Sequence, residues 1–319
     1  MQKIAKRTQV KIHSFIQSLD LNQGKIPLLC LFSKYAKKNF RGGGCKFCNQ
    51  CEQTAKGFAC TVRGVCGKTR ETDVLQDLLI YACAGLAKVS LLAEAKGIKK
   101  LDVDFFLMKA VFSTLTNVNF DPERIRDYIE KAVEFREALR KEANVQTDSS
   151  ISHFKPAKSL EELIKQGEER EIEPTVFREE GEDVGSLKLT ILYGLKGISA
   201  YAYHAAKLGV RNEEVYRGFK ELLVSIFKDK TSDLKVWVDH ALEVGRLNLF
   251  TMEALDRANT SAFGHPQPTK VSLGAKKRKA ILVSGHDLKD LYELLKQTEA
   301  REFMSTRTER YFLPMVILN

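Results

Sequence analysis

Five of the seven cysteines crowd into one short stretch, Cys45, Cys48, Cys51, Cys60 and Cys66, leaving Cys30 and Cys83 apart. Four of them read C-x2-C-x8-C-x5-C, from Cys48 through Cys51 and Cys60 to Cys66. In a reducing compartment such a thiol cluster points to metal or redox chemistry rather than to disulfides. A structural zinc site usually pairs two short knuckles, whereas this run has one tight pair and two wider intervals. A four-thiolate iron–sulfur cluster commonly takes one C-x2-C pair with further cysteines, and soft thiolates suit it. Spacing therefore favours iron–sulfur over zinc without settling the choice. Gly42, Gly43, Gly44, Gly57, Gly64 and Gly67 surround the thiols and permit the tight turns a wrapped cluster needs. Cys45 makes a second C-x2-C with Cys48 and stands as an alternative donor. Cys83, inside a helical run, reads as a buried apolar residue, and Cys30 likewise.

From Thr72 onward apolar residues recur at helical spacing, Leu75, Leu78, Leu79, Ala82, Leu86, Val89 and Leu92, which predicts one long helix that packs into a bundle. Further helices are expected over 103–116, 124–143, 185–208, 213–227 and 234–258. Asp121-Pro122 supplies an N-cap followed by proline at the first helical position. The acidic stretch 146–183 reads as a solvated connection between two bundles. After the proline-punctuated break 264–268 the pattern changes to a buried strand, Ala280-Ile281-Leu282-Val283, then a turn and a helix from Asp287. An α/β domain begins there. One strand and one helix cannot form a sheet, so this second domain is expected to lack a core.

Hydrophobic residues make up 44% of the chain and charged ones 29%, a globular composition that excludes disorder. No apolar run approaches the roughly 20 residues that span a bilayer, so no membrane association is expected. Nor does the start of the chain read as a secretory signal, so a cytoplasmic location is expected. Of the net charge of +10, nine bases and one acid in residues 1–44 account for +8, leaving +2 for all that follows. The body has no excess to neutralise a phosphate backbone, and no nucleic-acid partner is expected.

Among the six histidines, His13, His153, His204, His240 and His265 read as locally hydrogen-bonded residues. His286 differs. It stands at the carboxyl end of the predicted strand, where α/β domains place ligands and metals.

The run Phe47-Cys48-Asn49-Gln50-Cys51-Glu52-Gln53-Thr54-Ala55-Lys56-Gly57, followed by Cys60-Thr61-Val62-Arg63-Gly64-Val65-Cys66-Gly67-Lys68, resembles the start of hybrid-cluster proteins, the prismane or hydroxylamine reductase family. The resemblance continues through Leu75-Gln76-Asp77-Leu78-Leu79-Ile80-Tyr81 and Gly194-Leu195-Lys196-Gly197 with Ala200-Tyr201-Ala202. It ends with Gly264-His265-Pro266, Pro268-Thr269 and Ile281-Leu282-Val283-Ser284-Gly285-His286-Asp287-Leu288, so that it spans about residues 46 to 301. It implies a mainly α chain: an all-helical domain of two three-helix bundles over 45–275, then the start of a Rossmann-like α/β domain over 276–301. It also implies that Cys48, Cys51, Cys60 and Cys66 hold a [4Fe-4S] cluster, with Cys45 outside the ligand set. His286 is implied as a ligand of a hybrid [4Fe-2O-2S] cluster, where hydroxylamine is reduced to ammonia and water with electrons from a donor protein or reductase.

Both ends depart from the family pattern. The basic leader 1–44 has no counterpart. After Arg301 the family would continue G-I-Y-V-Y-T-H-G-E, and losing one G from a coding stretch for that peptide yields the residues found here from Glu302 on. Residues 302–319 are therefore expected to be a frameshifted tail, with a cluster-binding glutamate lost where Arg310 stands. No cysteine follows Cys83, so the chain is expected to retain one hybrid-cluster ligand and to be inactive alone. Alternatives are nitric oxide reduction by the same cluster, a non-enzymatic iron–sulfur electron-transfer module, and a zinc-stabilised helical domain. The electron donor and the oligomeric state are not legible in the sequence.

Overall fold

The computed structural model describes residues 62–172, 180–228, 231–270, 279–285, 287–299 and 303–308, together with 48, 50, 51 and 60. The leader 1–44, Cys45 and His286 lie outside the described residues.

Helix α1, Arg70–Glu94, is the centre of the fold. Thr69 caps its start by accepting from Thr72 N at 3.3 Å, with Glu71 and Asp73 in the first turn where the helix dipole favours them. From Val74 to Val89 nearly every side chain is buried, on all faces. A helix that is apolar all round needs partners all round. Those partners are α2 (Leu101–Ser113), α3 (Pro122–Glu142), α4 (Leu160–Glu168), α6 (Glu213–Lys228) and a 3-10 turn, Ser150–His153. Among the described residues α1 is also the one helix long and apolar enough to cross a membrane. The expectation that no run approaches that length is corrected here; most of its apolar window is buried against the other helices.

Helices α5 (Glu182–Lys207) and α7 (Leu234–Phe263) pack on each other, and α5 also meets α2 and α6. Apolar side chains from α1 through α7 merge into one buried cluster that reaches from Leu75 to Leu247. Each fully buried Leu or Ile contributes about 1.5–3 kcal/mol. At Gly194 of α5 an added Cβ would land on Val244 Cγ1 of α7, so the two helices approach more closely there than any side chain would allow. Asp121 caps α3 from its side chain with Pro122 next, as the sequence predicts.

One polar group ties three helices. The Lys220 ammonium of α6 meets Asp104 Oδ1 of α2 at 2.6 Å, Ser90 Oγ of α1 at 3.2 Å, and Glu94 of α1. Lys220 and Asp104 are both buried, and removing one partner of such a pair leaves the other charge uncompensated.

The acidic stretch is not the solvated connection its composition suggests. Ile151, Phe154, Leu163 and Ile172 are buried against the core, Ile172 N donates to Asp77 Oδ2 at 2.8 Å, and Glu171 pairs with Arg70. A few apolar residues, Leu163 on the short helix α4 among them, suffice to dock a segment whose average composition is polar.

Strand β1, Lys279–Ser284, is followed by α8, Leu288–Thr298. β1 then pairs in parallel with β2, Phe303–Thr308, in the register Lys279 opposite Phe303 to Ser284 opposite Thr308. This corrects the expectation of a lone strand: residues 303–308 supply the second strand of a β-α-β unit. Asp287 caps α8 by accepting from Lys289 N and Asp290 N. Its other oxygen lies 2.9 Å from His204 Nδ1 of α5, which seats the unit on the helical part.

Gly85, mid-way along α1, faces the main chain of the 3-10 turn, and a Cβ there would land on the Ile151 carbonyl oxygen. Gly85→Ala is expected to cost about 1–3 kcal/mol through this overpacking. Thermal unfolding followed by circular dichroism checks it, and an unchanged Tm would refute the tight approach.

Candidate metal centre

The thiol loop precedes α1. Cys48 and Cys60 face each other in an isolated antiparallel bridge, with Cys60 N donating to Cys48 O at 2.8 Å and Cys48 N to Cys60 O at 3.4 Å. Cys60 is buried, Cys48 and Cys51 are half-buried, and Cys66 is exposed on a turn closed by Gly67 N donating to Gly64 O at 2.9 Å. All four thiols are free, as is buried Cys83, where the sequence places an apolar residue. Burial pushes the Cys83 thiol up.

The structure brings Cys48 and Cys60 side by side but does not gather all four thiols. Among the described residues no three His, Cys, Asp or Glu side chains stand close enough to share a metal ion. In the chemistry of its donors the loop still fits an iron–sulfur cluster: four free thiols on a glycine-rich turn, two of them registered by backbone hydrogen bonds. His286 lies outside the described residues. Its neighbour Asp287 is fixed by the cap and by His204.

Beneath the loop lies a set of buried polar groups that the sequence reading passed over. Lys68, 1% exposed, spends its three N–H donors on Cys48 Sγ at 3.8 Å, Asp73 Oδ1 at 3.4 Å and Gln76 Oε1 at 2.7 Å. Gln76 is held in turn by donating from Nε2 to Asn119 O at 3.0 Å. From the other side Lys196 of α5, also buried, donates to Gln50 Oε1 of the thiol loop at 3.2 Å and to Thr114 O at 3.5 Å. Burial pushes the Cys48 thiol up to about 12, a rise that Asp73 reinforces and Lys68 opposes. Burial likewise lowers Lys196 to about 8, with Asp77 the main counterweight. Asp73 is raised by desolvation, and Asp77 is raised to about 7 by desolvation and then by Asp73. A signal for these residues existed in the sequence: Asp73, Gln76 and Asp77 stand three to four apart on an otherwise apolar helix, and Lys196 interrupts Leu192, Leu195 and Ile198.

Fold and thiols together define a helical protein with a cysteine site on the loop entering its central helix and a β-α-β unit appended. Residues 46–312 match the Prismane/CO dehydrogenase family, and the chain belongs to that family. Membership implies iron–sulfur clusters. Among curated proteins the chain is 49% identical over 266 residues to the hydroxylamine reductase of Syntrophobacter fumaroxidans, covering 80% of this chain and 47% of that one. It is 46% identical over 261 residues to the hydroxylamine reductase of Methanocella arvoryzae, covering 80% and 48%. Against the hydroxylamine reductase of Trichormus variabilis it is 44% identical over 256 residues, covering 79% and 47%. The chain thus spans about half the length of the curated relatives it matches.

The folded form holds the Asp77 proton up to about pH 7, against an ordinary value of 3.8. Between these values the folded state binds more protons than the unfolded one, so stability is fully present below about pH 4 and falls as pH rises towards 7. Denaturant titrations of the parent and Asp77→Asn at pH 4, 5.5 and 7 check this. The variant is expected to lose a slope of at most about 1.4 kcal/mol per pH unit, and equal slopes would count against the assignment.

Proposed function

We propose that the chain is the N-terminal part of a hydroxylamine reductase, a hybrid-cluster protein that reduces hydroxylamine to ammonia and water in the cytoplasm. The observation that carries this reading is the identity of 44–49% to three hydroxylamine reductases, within which stands the ordered thiol series Cys48, Cys51, Cys60 and Cys66. Overall, hydroxylamine takes up two electrons and two protons, its N–O bond breaks, and ammonia and water leave.

In this reading Cys48, Cys51, Cys60 and Cys66 hold a [4Fe-4S] cluster that receives electrons from a donor protein, and His286 is one ligand of a hybrid [4Fe-2O-2S] cluster. When bound, these clusters supply electron entry and an open iron position that polarises the N–O bond as a Lewis acid. The chain's own residues prepare the two places. The Cys48–Cys60 bridge registers two thiols, and Lys68 donates to the first of them. At the other place, the Asp287 cap and its contact with His204 hold the start of α8, one residue past His286.

A second reading applies to these 319 residues by themselves. No cysteine follows Cys83, so the thiolates a hybrid cluster needs are not supplied by the later residues of this chain, and an electron-transfer module made of the first cluster is what remains. Anaerobic reconstitution with iron and sulfide separates the possibilities. We expect about four irons per chain, visible absorbance, and no hydroxylamine turnover with a reduced dye. Turnover would sink the module reading. One zinc with no iron and no visible absorbance would sink both in favour of a zinc-stabilised domain. Cys60→Ser is expected to lose more than half of the iron while helical circular dichroism is retained, because the helices lie downstream of the loop.

A further inference from the structure

Two buried ammonium groups converge on the thiol loop from independent elements. Lys68 arrives from the segment just after Cys66, and Lys196 from the middle of α5, 146 residues from the loop group it meets, Gln50. Neither side chain is more than 1% exposed. The cost of burying a lysine is usually offset by close carboxylates. Among the described residues only Lys68 has a carboxylate within bonding distance, Asp73, while Lys196 donates to an amide and a backbone carbonyl. Asp77, one turn beyond Asp73 on α1, accepts from the Ile172 backbone N–H and is the main counterweight to Lys196. Each ammonium nevertheless keeps a donor directed at the loop, Lys68 at Cys48 Sγ and Lys196 at Gln50 Oε1.

With donors directed at Cys48 and Gln50, the two lysines are placed to meet an anionic group held by the loop. An iron–sulfur cube in four thiolates is such a group: its net charge is negative and becomes more so on reduction. A fixed cation close to a ligand sulfur stabilises the reduced form more than the oxidised one, because charge and hydrogen bonding at the sulfurs set the potential.

We propose that Lys68 and Lys196 form a buried cationic floor under the thiol loop, and that Lys68, through its contact with Cys48 Sγ, is a positioning residue that raises the reduction potential of the cluster. The inference rests on the proposal that the four cysteines hold an iron–sulfur cluster. It assigns the two lysines a role in electron uptake besides holding α1 to its neighbours.

The test is a redox titration of the reconstituted 319-residue chain, monitored by absorbance and electron paramagnetic resonance, with Lys68→Met, Lys68→Arg and Lys196→Met beside the parent. Lys68→Met is expected to lower the midpoint potential by about 59 mV, a tenfold change in the reduced-to-oxidised ratio of a one-electron couple. Lys196→Met is expected to shift it in the same direction by less. Lys68→Arg, which keeps the charge, stays close to the parent. A second readout needs no cluster. Cobalt(II) titrated into the apo chain gives a thiolate charge-transfer band, and its apparent affinity is expected to fall about tenfold in Lys68→Met. Parent-like potentials in both Met variants, with iron content and helicity unchanged, would reduce the lysines to structural ion pairs and overturn the proposal. Should Lys68→Met not fold, Lys196→Met decides alone. A parent chain that takes up no iron and sulfide removes the cluster reading itself, and this inference with it.

Discussion

The fold depends on the burial of α1. A 25-residue helix with buried side chains on every face needs partners all round, and the order of the chain supplies them. α2 and α3 follow it directly, α4 and the 3-10 turn close over it, and α6 returns to it after α5 has crossed behind. Its first turns carry the polar exceptions Asp73 and Gln76, which accept from Lys68 beneath the thiol loop, and Asp77, which accepts from Ile172 N. One helix thus organises both the core and the floor of the site.

Much of this was legible in the sequence for a physical reason. Helical periodicity in long runs is a strong signal, and the boundaries of α1, α3, α5, α6 and α7 fall close to those the apolar spacing and the Asp121-Pro122 cap indicate. The thiol series stood out because cysteine is rare and its spacing is constrained by coordination. What escaped were features decided by neighbours distant in sequence. Lys196 gives no sign on its own that it will meet Gln50, and the buried polar atoms of Gln76 are intelligible only once Lys68 and Asn119 are beside them. The segment around Leu163 looked solvated because composition was averaged over a stretch in which a few apolar residues do the docking.

The β-α-β unit shows a different limit. The sequence reading sets Phe303 to Thr308 apart from the family pattern, yet these residues pair in register with β1 and fall within the matched span 46–312. Strand pairing runs through backbone groups, so a segment needs an extended backbone and a crossover of suitable length more than it needs particular side chains. The helix between the strands is instead fixed by side chains: the Asp287 cap, its contact with His204, and the Phe263–Tyr292 ring pair 5.7 Å apart.

The close approach at Gly194 has a consequence for how such a sequence can change over time. Residues 194 and 196 project from nearly opposite sides of α5, so the contact that presses position 194 onto Val244 also fixes the rotation that sends Lys196 towards the thiol loop. Volume at these two positions is shared. A side chain can appear at 194 only if the one at 244 shrinks, and a change at either alone would roll the helix and withdraw the lysine. Positions 194 and 244 are therefore expected to covary across relatives by exchange of size, with the residue at 196 free of that exchange.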